Sequence, residues 1–323
     1  MTPTLAIDAL RVGFDSDGGT IAAVREVSLN VEPAECVGLV GESGSGKIQL
    51  CMAAMGLLPR GAQVSGSVRF EGREILAASP RDLNRIRGSK LTMIFQDPMT
   101  SLTPHLKIGV QLAEVLVIHA QMSWRDAERA ALEALERVRV PEPARRLRQY
   151  PHELSGGMRQ RVMIGMSLLC DPALLIADEP TTALDVTVQA QIIDVLRTMR
   201  AESRMAIVLV SHDLGVVAGL ADRILVMYAG RVVESASAAL LLRHAEHPYT
   251  AALLKCVPSL LGPRLERMAS IPGSPPAAAG IEVGCAFAPR CPRAQPRCQT
   301  ERPLLRKASG PPHQVACHYP LSA

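Results

Sequence analysis

A glycine-rich segment runs from Gly41 to Lys47, between a short apolar run and a helical pattern. In a strand–loop–helix arrangement of this kind, glycines let backbone N–H groups turn inward, and the helix N-terminus adds positive potential for anions. The lysine would reach the β- and γ-phosphates of a nucleotide. The candidates for phosphate contacts are Gly41, Glu42, Ser43, Gly44, Ser45, Gly46, Lys47 and Ile48.

A second apolar run ends in two adjacent carboxylates, Asp178 and Glu179. Asp178 suits Mg²⁺, usually through water, and Glu179 suits a base that polarises an attacking water. Taken alone, the pair is equally typical of a strand that ends in a solvated acidic turn. Together with the phosphate loop, it indicates metal-assisted phosphate chemistry.

Apolar runs of strand length alternate with helical patterns between residues 36 and 227. This alternation predicts a parallel sheet covered by helices on both faces. Apolar and polar residues alternate in 5–12 and 24–31, which predicts an antiparallel β subdomain. A helical stretch near 100–170 interrupts the pattern and predicts an inserted helical subdomain. The fold class is therefore α/β.

Composition excludes several other classes of protein. The 323 residues are 48% hydrophobic and 20% charged, with a formal net charge of +4, so the chain can form a core and is not disordered. There is no run of five or more like charges, which argues against a nucleic-acid arm. Because no stretch of 18 apolar residues and no export leader is present, we expect a soluble intracellular protein.

The C-terminal region is rich in cysteine and proline. Four of the eight cysteines lie in the last 39 residues, and twelve of the 24 prolines fall between Pro258 and Pro320. The four clustered cysteines are Cys285, Cys291, Cys298 and Cys317. In a reducing cytosol, four thiolates are better explained by zinc or an iron–sulfur cluster than by disulfides. Reduced structural cysteines are the remaining alternative.

A further element, Leu154-Ser155-Gly156-Gly157, precedes the acidic strand. By itself it indicates a helix N-cap at Ser155 followed by a basic helix. The order of the phosphate loop, this element, the Asp–Glu strand and a later Ser211-His212-Asp213 resembles the nucleotide-binding domain of ABC ATPases over roughly residues 4–235. The resemblance implies a P-loop NTPase core of ABC type in domain 1–235, with the helical insert at about 97–170.

The resemblance also implies roles for individual residues. Gln96, Glu179 and His212 would be catalytic, Gln96 and Asp178 would be Mg²⁺ ligands, and Phe14 would stack on adenine. In such ATPases two domains close head to tail on two ATP molecules. The Ser155, Gly156 and Gly157 element of this chain would therefore face the γ-phosphate in the partner's site.

A narrower resemblance extends over nearly the whole chain. Met55–Pro59, Phe95–Leu102, Ala177–Gln189 and His247–Leu253 are similar to the dipeptide/oligopeptide/nickel importer ATPases. The tail, from Gly284-Cys285 to Ala316-Cys317, is similar to the C-terminal extension of that family. It implies a second domain over 236–323 whose four cysteines hold a [4Fe–4S] cluster in preference to zinc.

The implied function is that of an ATPase subunit energising an importer for peptides or related small solutes, on the cytoplasmic face of the inner membrane. The implied partners are a second, different ATPase subunit, two transmembrane permease subunits and an extracytoplasmic solute-binding protein. The region from Gln96 to Leu116 is expected to attach the chain to the membrane partner, although some of its apolar residues would pack internally; the apolar residues of this region include Met99, Leu102, Leu106, Ile108 and Leu112. The alternative is a soluble ABC ATPase acting on nucleic acid or ribosomes, but no fused second ATPase domain, long coiled coil or basic linker is present.

One position departs from the phosphate-loop motif. After the lysine a Ser or Thr hydroxyl normally ligates Mg²⁺, whereas this chain has Ile48. Two alternatives remain open. Either this ATP site is degenerate and pairs with a competent subunit, or water replaces the hydroxyl and the site still turns over.

Overall fold

The computed structural model describes residues 2–16, 19–97, 101–182, 184–256, 270–276, 283–307 and 312–321. The chain separates into two compact units. Unit 1 comprises Met1–Leu5, Val31–Glu35 and Phe70–Leu209. Unit 2 comprises Ala6–Asn30, Cys36–Arg69 and Val210–Ala323.

Strands and helices alternate along much of the chain, as the apolar pattern predicts. The strands are β1 (Leu5–Ser16), β2 (Gly19–Val31), β3 (Cys36–Val40), β4 (Gln63–Phe70), β5 (Arg73–Glu74), β6 (Leu91–Ile94), β7 (Leu174–Asp178), β8 (Ala206–Ser211), β9 (Arg223–Tyr228), β10 (Arg231–Ser237), β11 (Arg306–Lys307) and β12 (Gln314–Val315). The α-helices are α1 (Lys47–Met55), α2 (Pro80–Ile86), α3 (Ile108–His119), α4 (Trp124–Arg137), α5 (Pro143–Arg146), α6 (Gly156–Leu168), α7 (Val186–Ser203), α8 (Leu214–Leu220), α9 (Ala238–Arg243), α10 (Pro248–Cys256) and α11 (Pro296–Thr300).

Unit 2 contains the strand that leads into the glycine-rich loop. All five residues of β3 are buried, and β3 pairs in parallel with β9. Strand β9 pairs antiparallel with β10, and β10 pairs antiparallel with β12 of the tail. Strands β2, β1 and β4 are hydrogen-bonded neighbours in that order. The loop therefore starts from the end of a fully buried strand.

Helix α1 is shorter than the sequence predicts. The apolar pattern and Pro59 predict a helix that runs to Leu58, but α1 ends at Met55. Gly56 adopts a left-handed conformation with φ of 63° and donates its N–H to Ala53 O. Glycine adopts this conformation without steric cost, so it ends the helix before the proline does.

Unit 1 contains the acidic strand. All five residues of β7 are buried, and β7 pairs in parallel with β6, with Leu91 opposite Leu174 and Ile94 opposite Ala177. Helices α3, α4 and α6 pack against one another, and α6 also packs on β6. This arrangement carries the two carboxylates to the end of a buried strand.

Residues 107–140, whose pattern predicts helix with a helix start at Ser123, form the two helices α3 and α4. Helix α4 begins after Ser123, as predicted, and the Ser123 hydroxyl accepts a hydrogen bond from the Asp126 N–H. Of the apolar residues expected near a membrane partner, Leu102, Ile108 and Leu112 instead pack internally, because all three are buried in the chain's own core; Met99 lies outside the described residues. No helix in the described ranges is long and apolar enough to cross a membrane.

Candidate active site

Two glycines of the phosphate loop lie too close to neighbouring backbone for any side chain. Gly46 has φ of 97°, and a Cβ there would lie 2.3 Å from Ala23 O. Gly41 has φ of 154°, and its Cβ would lie 2.3 Å from Met227 O. The loop therefore packs directly against the backbone of β2 and β9, and this contact restricts its conformation.

Lys47 is folded back into the loop. Its Nζ donates to Gly41 O at 2.7 Å, to Glu42 O at 2.9 Å and to the Ser45 hydroxyl at 3.3 Å. The residue is only 6% exposed, so a buried positive charge lies among two backbone carbonyls and one hydroxyl at the start of α1. Such a charge at a helix N-terminus favours a bound phosphate group.

Ile48 is the second residue of α1 and follows this lysine directly. Its side chain is half-buried. The position that normally carries a hydroxyl at the phosphate is therefore apolar, as the sequence indicates.

In unit 1, the predicted base Glu179 and the predicted Mg²⁺ ligand Gln96 are in direct contact. Gln96 Nε2 donates to Glu179 Oε2 at 2.9 Å, and the Thr182 hydroxyl donates to the same oxygen at 2.8 Å. Glu179 has φ of 45°, an uncommon left-handed conformation that is often found at functional sites. Asp178, one residue earlier, is buried at the end of β7. Two donors thus orient the carboxylate that would act on a water.

The Ser155-Gly156-Gly157 element opens α6, as its N-cap pattern predicts. The Ser155 hydroxyl accepts from the Met158 N–H at 3.3 Å. Ser155 and Gly156 are exposed, and a Cβ on Gly156 would meet no atom within 4 Å. This helix N-terminus is therefore open to solvent in a single chain.

The remaining predicted residues, Phe14 and His212, lie in unit 2 with the phosphate loop. Phe14 is half-buried in β1, and His212 is exposed directly after β8. The predicted site residues thus form two local groups. One is the loop with Phe14 and His212 in unit 2, and the other is Gln96 with Asp178 and Glu179 in unit 1.

Sequence reasoning missed the residues that hold Glu42 of the phosphate loop. Its N–H donates to the Tyr249 hydroxyl at 2.8 Å, and its carboxylate forms an ion pair with Arg290. Tyr249 belongs to the His247–Leu253 segment, and Arg290 immediately precedes Cys291 in the tail. Both segments match the narrower family resemblance, which is the signal that could have singled them out.

The four tail cysteines form no disulfide bonds and line one cavity in unit 2. Burial raises the pKa of Cys285 and Cys291, and it raises the pKa of Cys317 to about 11, with neighbouring thiols adding to each shift. Thiolate is a donor type that suits a thiophilic metal group. Across the described part of the chain, however, no three or more His, Cys, Asp or Glu side chains are grouped so that they could hold a metal ion.

Comparison with known proteins defines the class of this protein. A family model described as ABC transporter matches residues 24–182. A dimeric structure of the ATP-binding cassette MJ0796, in a post-hydrolysis state bound to ADP and Pi, matches with a TM-score of 0.66 and 27% identity, covering 72% of this chain and 98% of that one. The fold is that of an ABC-type ATPase, as the motif order predicts.

The full-length matches are more specific. The oligopeptide transport ATP-binding protein OppD of Salmonella typhimurium is 48% identical over 98% of this chain and 94% of its own length. OppD of Escherichia coli is 47% identical over 98% of this chain and 93% of its own length. A second model, the C-terminal region of oligopeptide/dipeptide transporters, matches residues 233–298. The chain belongs to the ABC transporter family of oligopeptide transport ATP-binding proteins, and the predicted resemblance is confirmed.

Proposed function

We propose that this chain hydrolyses ATP to energise the import of peptides or related small solutes from the cytoplasmic face of the inner membrane. The observation that carries the proposal is the near full-length similarity to oligopeptide transport ATP-binding proteins. The Gln96–Glu179 contact supports hydrolysis, since it holds a carboxylate at the end of the acidic strand.

Within this function, the loop from Gly41 to Lys47 binds the phosphates and Phe14 stacks on adenine. Asp178 and Gln96 would hold Mg²⁺, which polarises the phosphoryl oxygens when bound. Glu179 accepts a proton from the attacking water, and His212 contacts the γ-phosphate. The buried ammonium of Lys47 supplies the positive charge that orients the phosphates.

The exposed helix N-terminus at Ser155, Gly156 and Gly157 is the basis for proposing a partner ATPase subunit. The N–H groups at this helix start are exposed and point outward along the helix axis, so they could bind the phosphate of a nucleotide that is held by another chain. The partner is a second ABC ATPase subunit, and two permease subunits and an extracytoplasmic solute-binding protein complete the importer. In this arrangement domain 1–235 holds the nucleotide, 97–170 is the helical insert, and 236–323 is the C-terminal extension.

The test is peptide uptake into proteoliposomes that contain the complex purified with its permease subunits. Uptake should require this chain and ATP, and should stop with a non-hydrolysable analogue. ATPase activity that is stimulated by nucleic acid or ribosomes, without uptake of any solute, would favour the soluble alternative instead.

We also propose that Cys285, Cys291, Cys298 and Cys317 hold a [4Fe–4S] cluster, with zinc as the lesser alternative. The support is that the four thiols line one cavity. A bound cluster would cross-link the tail. After anaerobic purification we expect about four irons per chain and broad visible absorption. Cys291→Ser should lose them, and the control Cys170→Ser should not; stoichiometric zinc without iron would exclude the cluster.

A further inference from the structure

Arg290 of the tail is held against the phosphate loop as a buried, bidentate partner of Glu42. The guanidinium NH1 lies 2.6 Å from Glu42 Oε2, and NH2 lies 3.0 Å from Oε1. The Arg290 side chain is 4% exposed and that of Glu42 is 24% exposed. A two-point pair of this kind is directional as well as strong, because the planar guanidinium matches both carboxylate oxygens.

The rest of the Arg290 head group is also engaged. Nε donates to Pro272 O at 2.9 Å, NH2 to Ile271 O at 3.3 Å and NH1 to the Tyr228 hydroxyl at 3.2 Å. The guanidinium carbon lies 5.9 Å from the Tyr228 ring centroid and 6.0 Å from that of Phe287. Contacts other than the Glu42 ion pair therefore also hold the Arg290 head group in place.

Glu42 is bound at three separate groups. Its carboxylate meets Arg290, its N–H donates to the Tyr249 hydroxyl at 2.8 Å, and its carbonyl accepts from Lys47 Nζ at 2.9 Å. The Ser45 N–H also donates to that carbonyl, at 3.2 Å. The residue that the tail holds is therefore the same residue that positions the phosphate-binding lysine.

We propose that Arg290 is a positioning residue for ATP binding, acting through Glu42 to hold the phosphate loop in its binding shape. The tail then has two roles: it packs on the core, and it sets the affinity of the phosphate loop for nucleotide. This proposal rests on the proposed function only in taking ATP as the ligand of the loop. Arg290 lies between Cys285 and Cys291 in the tail.

The test compares Arg290→Gln, Arg290→Lys and Glu42→Gln in the full chain assembled with its importer partners. Binding of a fluorescent ATP analogue gives Kd, and steady-state hydrolysis gives KM and kcat. In Arg290→Gln we expect Kd and KM to rise about tenfold with little change in kcat, since a partly buried carboxylate loses its partner. Arg290→Lys should recover only part of the affinity, because an ammonium does not pair at two points.

The matched control is Arg297→Gln, which removes an exposed tail ion pair with Glu301 and should leave Kd unchanged. The double variant Glu42→Gln/Arg290→Gln should bind ATP no more weakly than Arg290→Gln, as expected for two residues that act as one pair. Thiol accessibility and thermal unfolding report whether the tail stays docked.

An unchanged Kd in Arg290→Gln would overturn the proposal, whether or not thermal stability falls, because the pair would then only fasten the tail. Additive losses in the double variant would also overturn it. If the wild-type complex binds ATP but imports no solute, the proposed function fails while the positioning role of Arg290 is still measured by Kd.

Discussion

Position 48 offers the sharpest test of how this ATP site works. Ile48 lies directly after Lys47 at the start of α1, and its side chain is half-buried. Replacing it by threonine restores a hydroxyl to the place where phosphate loops ligate Mg²⁺. Valine at the same position has nearly the same shape without the hydroxyl, so Ile48→Val is the matched control for Ile48→Thr.

The expected magnitude follows from the metal ligand. If the missing hydroxyl makes the site degenerate, regaining one ligand is worth about 3 kcal/mol of transition-state stabilisation, roughly a hundredfold in rate. Both variants also lose apolar burial, at roughly 1 kcal/mol for a side chain that is only partly buried. Threonine and valine have nearly the same shape, so the difference between the two variants reports the exchange of one methyl group for the hydroxyl.

The assay is steady-state ATP hydrolysis by the assembled complex, titrated with Mg²⁺. A degenerate site predicts a large rise in rate for Ile48→Thr, with a sharper Mg²⁺ dependence, and no rise for Ile48→Val. Equal rates in the two variants, together with loss of turnover in Glu179→Gln, would refute this reasoning. The site would then be competent, with water in place of the hydroxyl.

Two other predictions concern unit 2. Gly46→Ala should abolish ATP binding measured by calorimetry, because its Cβ would lie 2.3 Å from Ala23 O; Gly44→Ala, with φ of 78° but no atom within 4 Å, should weaken binding less. Burial lowers the pKa of His247 to about 4 from its ordinary 6.5, so this ring stays neutral in the fold. Between pH 6.5 and 4 the unfolded chain binds a proton on this ring and the folded chain does not. The free energy of unfolding is therefore at its full value above pH 6.5 and falls by about 3 kcal/mol as the pH falls towards 4. His247→Asn retains an acceptor for the Tyr249 N–H, and denaturant titration should show a free energy of unfolding that falls less than that of the wild type over this range; equal slopes would contradict the assignment.

Elements with a strong local pattern are predictable from sequence. Helix α7 occupies 186–203 as predicted, because its apolar residues repeat with helical spacing and Asp185 caps its first turn through the Val188 N–H. Strands β3 and β7 are uninterrupted apolar runs, and both are fully buried. Strands β11 and β12 have two residues each, which is too short for any periodicity.

The site residues likewise fall into those that the sequence predicts and those that only the structure shows. The phosphate loop, the acidic strand and the missing hydroxyl at Ile48 can be read from the sequence, because each depends on residues that are consecutive in the chain. The family resemblance adds the pairing of Gln96 with the acidic strand. The donation of the Thr182 hydroxyl to Glu179 depends on a left-handed backbone at Glu179 that no residue pattern marks.

Contacts between distant segments were decided only by the tertiary structure. The Arg290–Glu42 pair joins residues 248 positions apart, and neither residue lies in a pattern that points to the other. The sequence leaves open whether Leu102, Ile108 and Leu112 face a partner or pack internally, and the structure buries all three, because hydrophobicity indicates that a side chain avoids water but not which surface covers it. Sites built from consecutive residues can therefore be predicted from the sequence. Contacts between residues far apart in the chain depend on how the folded chain packs.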